Sequence, residues 1–149
     1  MNPSVTVRKI IHAEQTKVFD AWTKADLMNQ WFVGGPGKAE CSVDLRIGGK
    51  YKNRMCIEGE ATCASTAKTV DGKNYYDHHG EYLEISPPSR LVFTWNSPAV
   101  QSTKVTVEFR AVSSGTEVTI THELLDKKDC EGHIEGWTFA LSSLASFLG

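Results

Sequence analysis

The chain has 149 residues, of which 40% are hydrophobic and 23% are charged, and its formal net charge is -2 at pH 7. These values are ordinary for a soluble globular protein and predict a single domain over residues 1–149. The slight acidic surplus, with a pI near 6.2, argues against a nucleic-acid partner because nucleic-acid-binding domains usually carry a clear basic surplus.

Cellular location is predicted from segments that the sequence lacks. The N-terminus, Met1 to Ile11, has no apolar core of a secretion signal, and no apolar run reaches transmembrane length. The sequence contains four cysteines: Cys41, Cys56, Cys63 and Cys130. Their spacing fits neither a zinc site nor a redox pair. We therefore expect a cytoplasmic protein, a monomer or homodimer, with free thiols, no metal, no cofactor and no membrane insertion.

The N-terminal third of the chain changes periodicity twice. Beta-branched residues predict a first strand from Val5 to Ile11. Helical spacing then predicts a short helix from about Glu14 to Trp22. A Thr-x-x-Asp signature at Thr23 and Asp26 predicts the capped start of a second short helix, which contains Trp31. A Gly-Gly-Pro-Gly run ends that helix.

The middle of the chain alternates between apolar and polar residues, which predicts about six antiparallel strands joined by short turns. One set of alternates is expected to face the core: Tyr51, Asn53, Met55, Leu91, Phe93, Trp95, Val105, Val107, Phe109, Val118, Ile120 and His122. Between Glu58 and Asp77 the sequence has little to bury, and Asp71-Gly72 is a hairpin-turn signal. This segment is therefore predicted to be an extended, partly exposed hairpin arm.

The last stretch, Cys130 to Gly149, predicts one long amphipathic helix. Its apolar residues recur at intervals of three and four: Ile134, Trp137, Leu141, Leu144 and Leu148. The opposite side is polar, so this helix is expected to lie against the sheet. The predicted order is strand, two short helices, about six strands and a long helix, which is an α+β arrangement.

Residues at the joints of these elements resemble a known superfamily. The matching pieces are VFDAWT at 18–23, Trp31, DLRIGGKY at 44–51, GEYLEISPPSRLVFTW at 80–95, GTEVTITHE at 115–123 and GW at 136–137. The chain resembles the START/polyketide cyclase/Bet v 1-like (SRPBCC) superfamily, and within it the family homologous to the activator of heat shock protein 90 ATPase. The resemblance implies a helix-grip fold, in which a curved antiparallel sheet of about six to seven strands wraps around the C-terminal helix.

Such a sheet can leave a gap beside its long helix, and we expect a small hydrophobic ligand to bind there. The ligand would be lipid, aromatic or polyketide-like. The expected cavity residues are Trp31, Tyr51, Asn53, Met55, Phe93, Trp95, Val107, Ile120, His122, Trp137 and Leu141.

Two other functions stay open. A co-chaperone-like domain that stimulates a chaperone ATPase would instead expose the charged strand residues Lys50, Lys52, Arg54 and Glu108. An enzyme of the polyketide cyclase/dehydratase type would need His122 or Asn53 to face open volume.

His122 is the catalytic candidate because the unperturbed pKa of histidine lies near neutrality. A lone histidine at the end of a strand is, however, more often a structural hydrogen-bonding group. His122, Cys130 and His133 match no standard metal-ligand spacing, so no metal is expected. His78 and His79 fall on opposite faces of one strand and cannot chelate together.

Overall fold

The computed structural model describes residues 3–32, 39–58, 68–70, 73–97 and 100–148, with side chains described for all of these except 55–58, 68–70 and 73–76. The expected turn at Asp71-Gly72 and the side chain of Met55 lie outside the described part. The helices are α1 (Gln15–Thr23), α2 (Ala25–Trp31) and α3 (Lys127–Leu148). The strands are β1 (Val5–Ile11), β2 (Ala39–Val43), β3 (Lys50–Glu58), β4 (Lys68–Val70), β5 (Lys73–Ser86), β6 (Arg90–Trp95), β7 (Thr103–Val112) and β8 (Gly115–Glu123).

The strands form one antiparallel, curled sheet in the order β1-β8-β7-β6-β5-β3-β2. The three-residue β4 pairs with β5 outside this path. With two short helices after β1 and one long helix at the end, the architecture is the α+β helix-grip arrangement. The predicted fold class is therefore confirmed.

The inward face of the sheet follows the predicted alternation. In β8, Val118, Ile120 and His122 are buried, while the residues between them are half-buried. They pair across the sheet with Phe109, Val107 and Val105 of β7, which are also buried. Of the predicted core-facing residues, all eleven whose side chains are described are buried: Tyr51, Asn53, Leu91, Phe93, Trp95, Val105, Val107, Phe109, Val118, Ile120 and His122.

The long helix α3 begins three residues before the predicted start and buries Trp137, Ala140, Leu141 and Leu144. The prediction was wrong for Ile134, whose side chain is 44% exposed. On a helix of 3.6 residues per turn, Ala140 and Ile134 lie on opposite sides of Trp137. Because Ala140 is buried, the buried face is rotated away from Ile134.

The capping prediction for α2 was also wrong. Thr23 belongs to the last turn of α1, where its hydroxyl donates a hydrogen bond to the carbonyl of Phe19 at 3.0 Å. The N-cap of α2 is Lys24, whose side chain makes no capping bond. The hydroxyl that the signature requires is thus already used by the preceding helix. Asp26 still lies in the first turn of α2, where a carboxylate is favoured by the helix dipole.

The outer strand β2 packs against α2. The side-chain oxygen of Asn29 accepts a hydrogen bond from the backbone N–H of Cys41 at 2.8 Å. This contact occupies a backbone donor on the free edge of the sheet, where an unpaired row of donors would favour pairing with other chains. It also holds α2 against the side of the sheet.

Two glycines allow a matched test of local packing. A Cβ at Gly80 would overlap the carbonyl oxygen of Thr94 and lie 2.8 Å from the ring of Tyr51, whereas a Cβ at Gly136 would meet nothing within 4 Å. We expect Gly80→Ala to lower the free energy of unfolding by about 1–3 kcal/mol through overpacking. Gly136→Ala, in the middle of α3, should raise it by about 0.5–1 kcal/mol. Urea unfolding of both variants would check this, and a neutral Gly80→Ala would contradict the close packing of β5 on β6.

Candidate ligand-binding cleft

A cleft lies where β3, β5 and β6 face the two short helices. Eight side chains line it: Trp22, Met28, Phe32, Tyr51, Asn53, Tyr82, Phe93 and Trp95. The volume of the cleft is about 10 Å³, which is about the volume that one water molecule needs. The cleft is therefore almost filled by its own aromatic walls.

The predicted cavity residues divide into two groups. Tyr51, Asn53, Phe93 and Trp95 line the cleft. The others with described side chains are buried in the core without lining it: Trp31, Val107, Ile120, His122, Trp137 and Leu141. The cleft thus lies between the sheet and α1 and α2, and it borders α3 at Trp137, whose ring centroid lies 5.0 Å from that of Trp95 and 6.3 Å from that of Trp22.

Four lining residues were not among the predicted ones: Trp22, Met28, Phe32 and Tyr82. Met28 and Phe32 are four residues apart, a spacing that places two side chains on one side of a helical turn. Tyr82 pairs across the sheet with Phe93, and Phe93 was one of the predicted cavity residues. A sequence signal therefore existed for three of the four, while Trp22 looks like an ordinary core residue of α1.

The strand side of the cleft is an aromatic cluster around Tyr51. The Tyr51 ring centroid lies 5.3 Å from that of Phe93 and 5.6 Å from that of Tyr82, both separations at which aromatic rings attract. The Tyr51 hydroxyl donates a hydrogen bond to the carbonyl of Thr94. These contacts hold the strand-side wall in place.

Three polar atoms of lining side chains are buried and have no hydrogen-bond partner among the described residues. They are the indole nitrogens Nε1 of Trp22 and Trp95 and the amide oxygen Oδ1 of Asn53. All three side chains are less than 5% exposed. Leaving a buried donor or acceptor unpaired costs about 1–3 kcal/mol, so three such atoms on side chains that line one cleft are a substantial cost to stability.

The cleft contains no group that ionises near neutral pH among its described lining residues. Its titratable side chains are Tyr51 and Tyr82, and burial raises the pKa of both hydroxyls far above the ordinary value. Both therefore remain neutral. The walls offer hydrogen bonds and apolar contact but no charge.

His122 lies deeper in the core, where protein groups use both of its ring nitrogens. The indole N–H of Trp137 donates to Nδ1 at 3.1 Å, so the ring proton lies on Nε2. Nε2 donates to the hydroxyl of Thr103 at 2.8 Å, and that hydroxyl donates to the carbonyl of Trp95 at 2.6 Å. Burial, with a smaller contribution from His133, lowers the pKa of His122 to about 3. These contacts make His122 a neutral structural link between α3 and the sheet.

Two other histidines lie near this link. His78 is buried, with its ring centroid 4.6 Å from that of Trp95, and burial lowers its pKa to about 4. The ring centroid of His133 is 4.7 Å from that of His122, and its Nδ1 bonds the carbonyl of Asp129. His79 is exposed, on the face opposite to His78.

Neither a metal-ligand cluster nor a membrane-spanning helix occurs in the described part of the chain. Residues 3–32, 39–58, 68–70, 73–97 and 100–148 contain no cluster of three His, Cys, Asp or Glu side chains that could hold a metal ion. Cys130, the third member of the trio with His122 and His133, directs its thiol to the carbonyl of Asp126. None of the described helices is both long enough and apolar enough to span a membrane.

The family model described as "Activator of Hsp90 ATPase homolog 1-like protein" matches residues 12–149. The chain belongs to this family. As an AHSA1-like domain of the helix-grip type, it falls within the SRPBCC/Bet v 1-like superfamily, and the predicted resemblance is confirmed. No curated protein matches the chain.

Solved structures share the fold of this AHSA1-like domain. The AHSA1-like protein from Aeromonas hydrophila superposes with a TM-score of 0.76 at 21% identity, over 97% of this chain and 91% of that one. Protein NE0264 from Nitrosomonas europaea gives 0.74 at 23% identity, over 97% and 93%. CalU16 from Micromonospora echinospora gives 0.71 at 23% identity, over 98% and 76%. At these identities the similarity concerns the fold alone.

Proposed function

We propose that this AHSA1-like domain binds a small hydrophobic molecule, of lipid, aromatic or polyketide-like type, in the cleft between the sheet and α1 and α2. The observation that supports this is a group of buried polar atoms on Trp22, Asn53 and Trp95 that have no partner in the described part of the chain, on side chains that line one aromatic cleft. A mostly apolar cleft with a few polar groups is the usual composition of a small-molecule site. A bound molecule would offset the desolvation cost that these atoms carry in the free protein.

A ligand larger than water requires one wall to move, and the helix side is the one that can. Two residues form that wall: Met28 belongs to α2, a helix of seven residues, and Phe32 directly follows it. Methionine has three rotatable bonds and adapts its shape at low cost. The strand side is fixed by the ring contacts around Tyr51. We therefore propose that the ligand enters by displacing Met28 and Phe32.

The features of the cleft favour binding over the two alternatives. An enzyme would need a proton-transfer group at the cleft, yet its titratable lining residues are two neutral tyrosines, and both ring nitrogens of His122 are hydrogen-bonded elsewhere. A chaperone partner would need free charges on the sheet. Two of the four expected ones are already paired within the sheet, Arg54 with Asp77 and Glu108 with Arg90.

We place this binding protein in the cytoplasm, without a nucleic-acid partner. The two cysteines whose side chains are described, Cys41 and Cys130, are free thiols. Free thiols are usual in a reducing compartment. Burial also raises the pKa of the Cys41 thiol to about 12, so this thiol is unreactive.

The proposal is tested by a thermal-shift panel of fatty acids, flavonoids and polyketides, preceded by native mass spectrometry of the protein purified from its own cells. A ligand present at a hundred times its Kd should raise the Tm by about 5–10 °C. Asn53→Leu should reduce this shift, because the ligand loses a hydrogen bond of about 0.5–1.5 kcal/mol. The Tm of the free variant should be equal to or higher than that of the wild type, because the substitution removes an unpartnered buried oxygen.

Phe139→Ala provides the matched control, because this side chain is 50% exposed on α3 and lies outside the cleft. It should retain the full ligand-induced shift. A protein that carries no co-purifying molecule and responds to no compound of the panel would overturn the proposal. So would a shift that survives Asn53→Leu unchanged.

A further inference from the structure

We propose that the ligand carries an uncharged oxygen group, a hydroxyl or a carbonyl, which is bound by the indole N–H groups of Trp22 and Trp95 and the side-chain amide of Asn53. This inference rests on the proposed function and specifies the chemistry of the same site.

The four tryptophans of the chain divide into two kinds. Trp31 donates its indole N–H to the carbonyl of Ala21 at 2.9 Å, and Trp137 donates to Nδ1 of His122 at 3.1 Å. The indole nitrogens of Trp22 and Trp95 are equally buried but have no partner among the residues that the structure describes, and both of these side chains line the cleft. Among the four indole N–H groups, the two that lack a partner in the described part of the chain therefore both belong to tryptophans that line the cleft.

The polar atoms at the cleft define what would complement them. An indole N–H can only donate, whereas the amide oxygen of Asn53 can only accept. A carbonyl oxygen could accept from an indole N–H. A hydroxyl could accept from an indole and donate to Asn53. A pure hydrocarbon would leave all three atoms unpaired, at a cost that a hydroxyl or carbonyl avoids.

The same walls reject a charged group. The described lining residues include no lysine, arginine, histidine or carboxylate. A carboxylate or ammonium ion would lose its hydration without gaining an opposite charge, which is far more costly than burying a neutral hydroxyl. A ligand with an acidic end must therefore keep that end outside the cleft.

The test compares three probes with the same methylbenzene frame: p-cresol, toluene and p-toluate. They are titrated into the wild-type protein labelled for NMR, with the four indole N–H signals followed individually. We expect p-cresol to bind about tenfold more tightly than toluene, since a neutral hydrogen bond contributes about 0.5–1.5 kcal/mol and two would form. We expect p-toluate to bind weakest. The signals of Trp22 and Trp95 should shift further with p-cresol than those of Trp31 and Trp137, whose indole N–H groups keep their protein partners.

Trp95→Phe removes one N–H and keeps an aromatic side chain at the cleft. This variant should bind p-cresol about threefold to tenfold more weakly than the wild type does. Its affinity for toluene should be unchanged. Equal binding of toluene and p-cresol would overturn this inference but leave the proposed function standing. Tightest binding of p-toluate would overturn the exclusion of charge. No binding by any probe would count against both the inference and the proposed function.

Discussion

Replacing His122 by alanine is expected to lower the free energy of unfolding by about 3–5 kcal/mol. The side chain is fully buried, and its loss removes the acceptor of the Trp137 indole and the donor to the Thr103 hydroxyl. The variant therefore combines an empty space in the core with two groups that lose a partner. Urea unfolding at pH 7.5, followed by circular dichroism, would measure the change.

Two further variants separate the hydrogen bonds from the loss of volume. His122→Asn keeps an acceptor near the position of Nδ1 and should lose less stability than His122→Ala. His79→Ala removes an exposed histidine from the outer face of the sheet and should change the free energy of unfolding by less than about 0.5 kcal/mol. If His122→Ala were as mild as His79→Ala, the hydrogen-bond chain from α3 to β6 would not contribute to stability.

Acidification from pH 7.5 to pH 5 is expected to remove up to about 4 kcal/mol of stability. The pKa of His78 is lowered to about 4 and that of His122 to about 3 by burial, against about 6.5 in the unfolded chain. Between those values the unfolded state binds protons that the folded state does not, so stability falls as the pH falls. Each histidine contributes about 1.4 kcal/mol per pH unit below 6.5, or about 2 kcal/mol at pH 5.

The measurement is a series of urea unfolding curves between pH 5 and pH 7.5. His122→Asn should flatten the dependence of stability on pH by about half, because one of the two buried histidines no longer titrates on unfolding. His79→Asn, which removes an exposed histidine, should keep the wild-type slope. Equal slopes for all three proteins would show that His122 does not contribute to the acid response.

The fold was predictable from sequence because its main signals are local and periodic. The alternation of Val118, Ile120 and His122 placed β8, and the matching run in β7 placed its partner strand. The errors occurred where the role of a residue depends on contacts that its local pattern does not show. Thr23 carries the motif of a cap, but its hydroxyl bonds within α1. Ile134 is in phase with the apolar stripe, but the helix is rotated so that Ala140 is buried instead.

The candidate site was predicted only in part, and the reason is geometric. The strand side followed from alternation, which placed Tyr51, Asn53, Phe93 and Trp95 on one inward face. Which inward residues line a gap and which fill the core depends on how α1 and α2 pack on the sheet, and no short-range pattern contains that information. The unpartnered state of an indole N–H is equally invisible in sequence, because it depends on every neighbour in space.

The pairing of the first and last strands has a consequence for how the protein is made. Val5 of β1 lies opposite His122 of β8, so the two ends of the sheet's sequence are neighbours in space. During synthesis, β1 therefore remains without this neighbour until the residues up to Glu123 have left the ribosome. Pairings between residues so far apart in sequence form slowly, and until they form the inward apolar faces are exposed. We expect the nascent chain to depend on protection from aggregation until β8 and α3 have emerged.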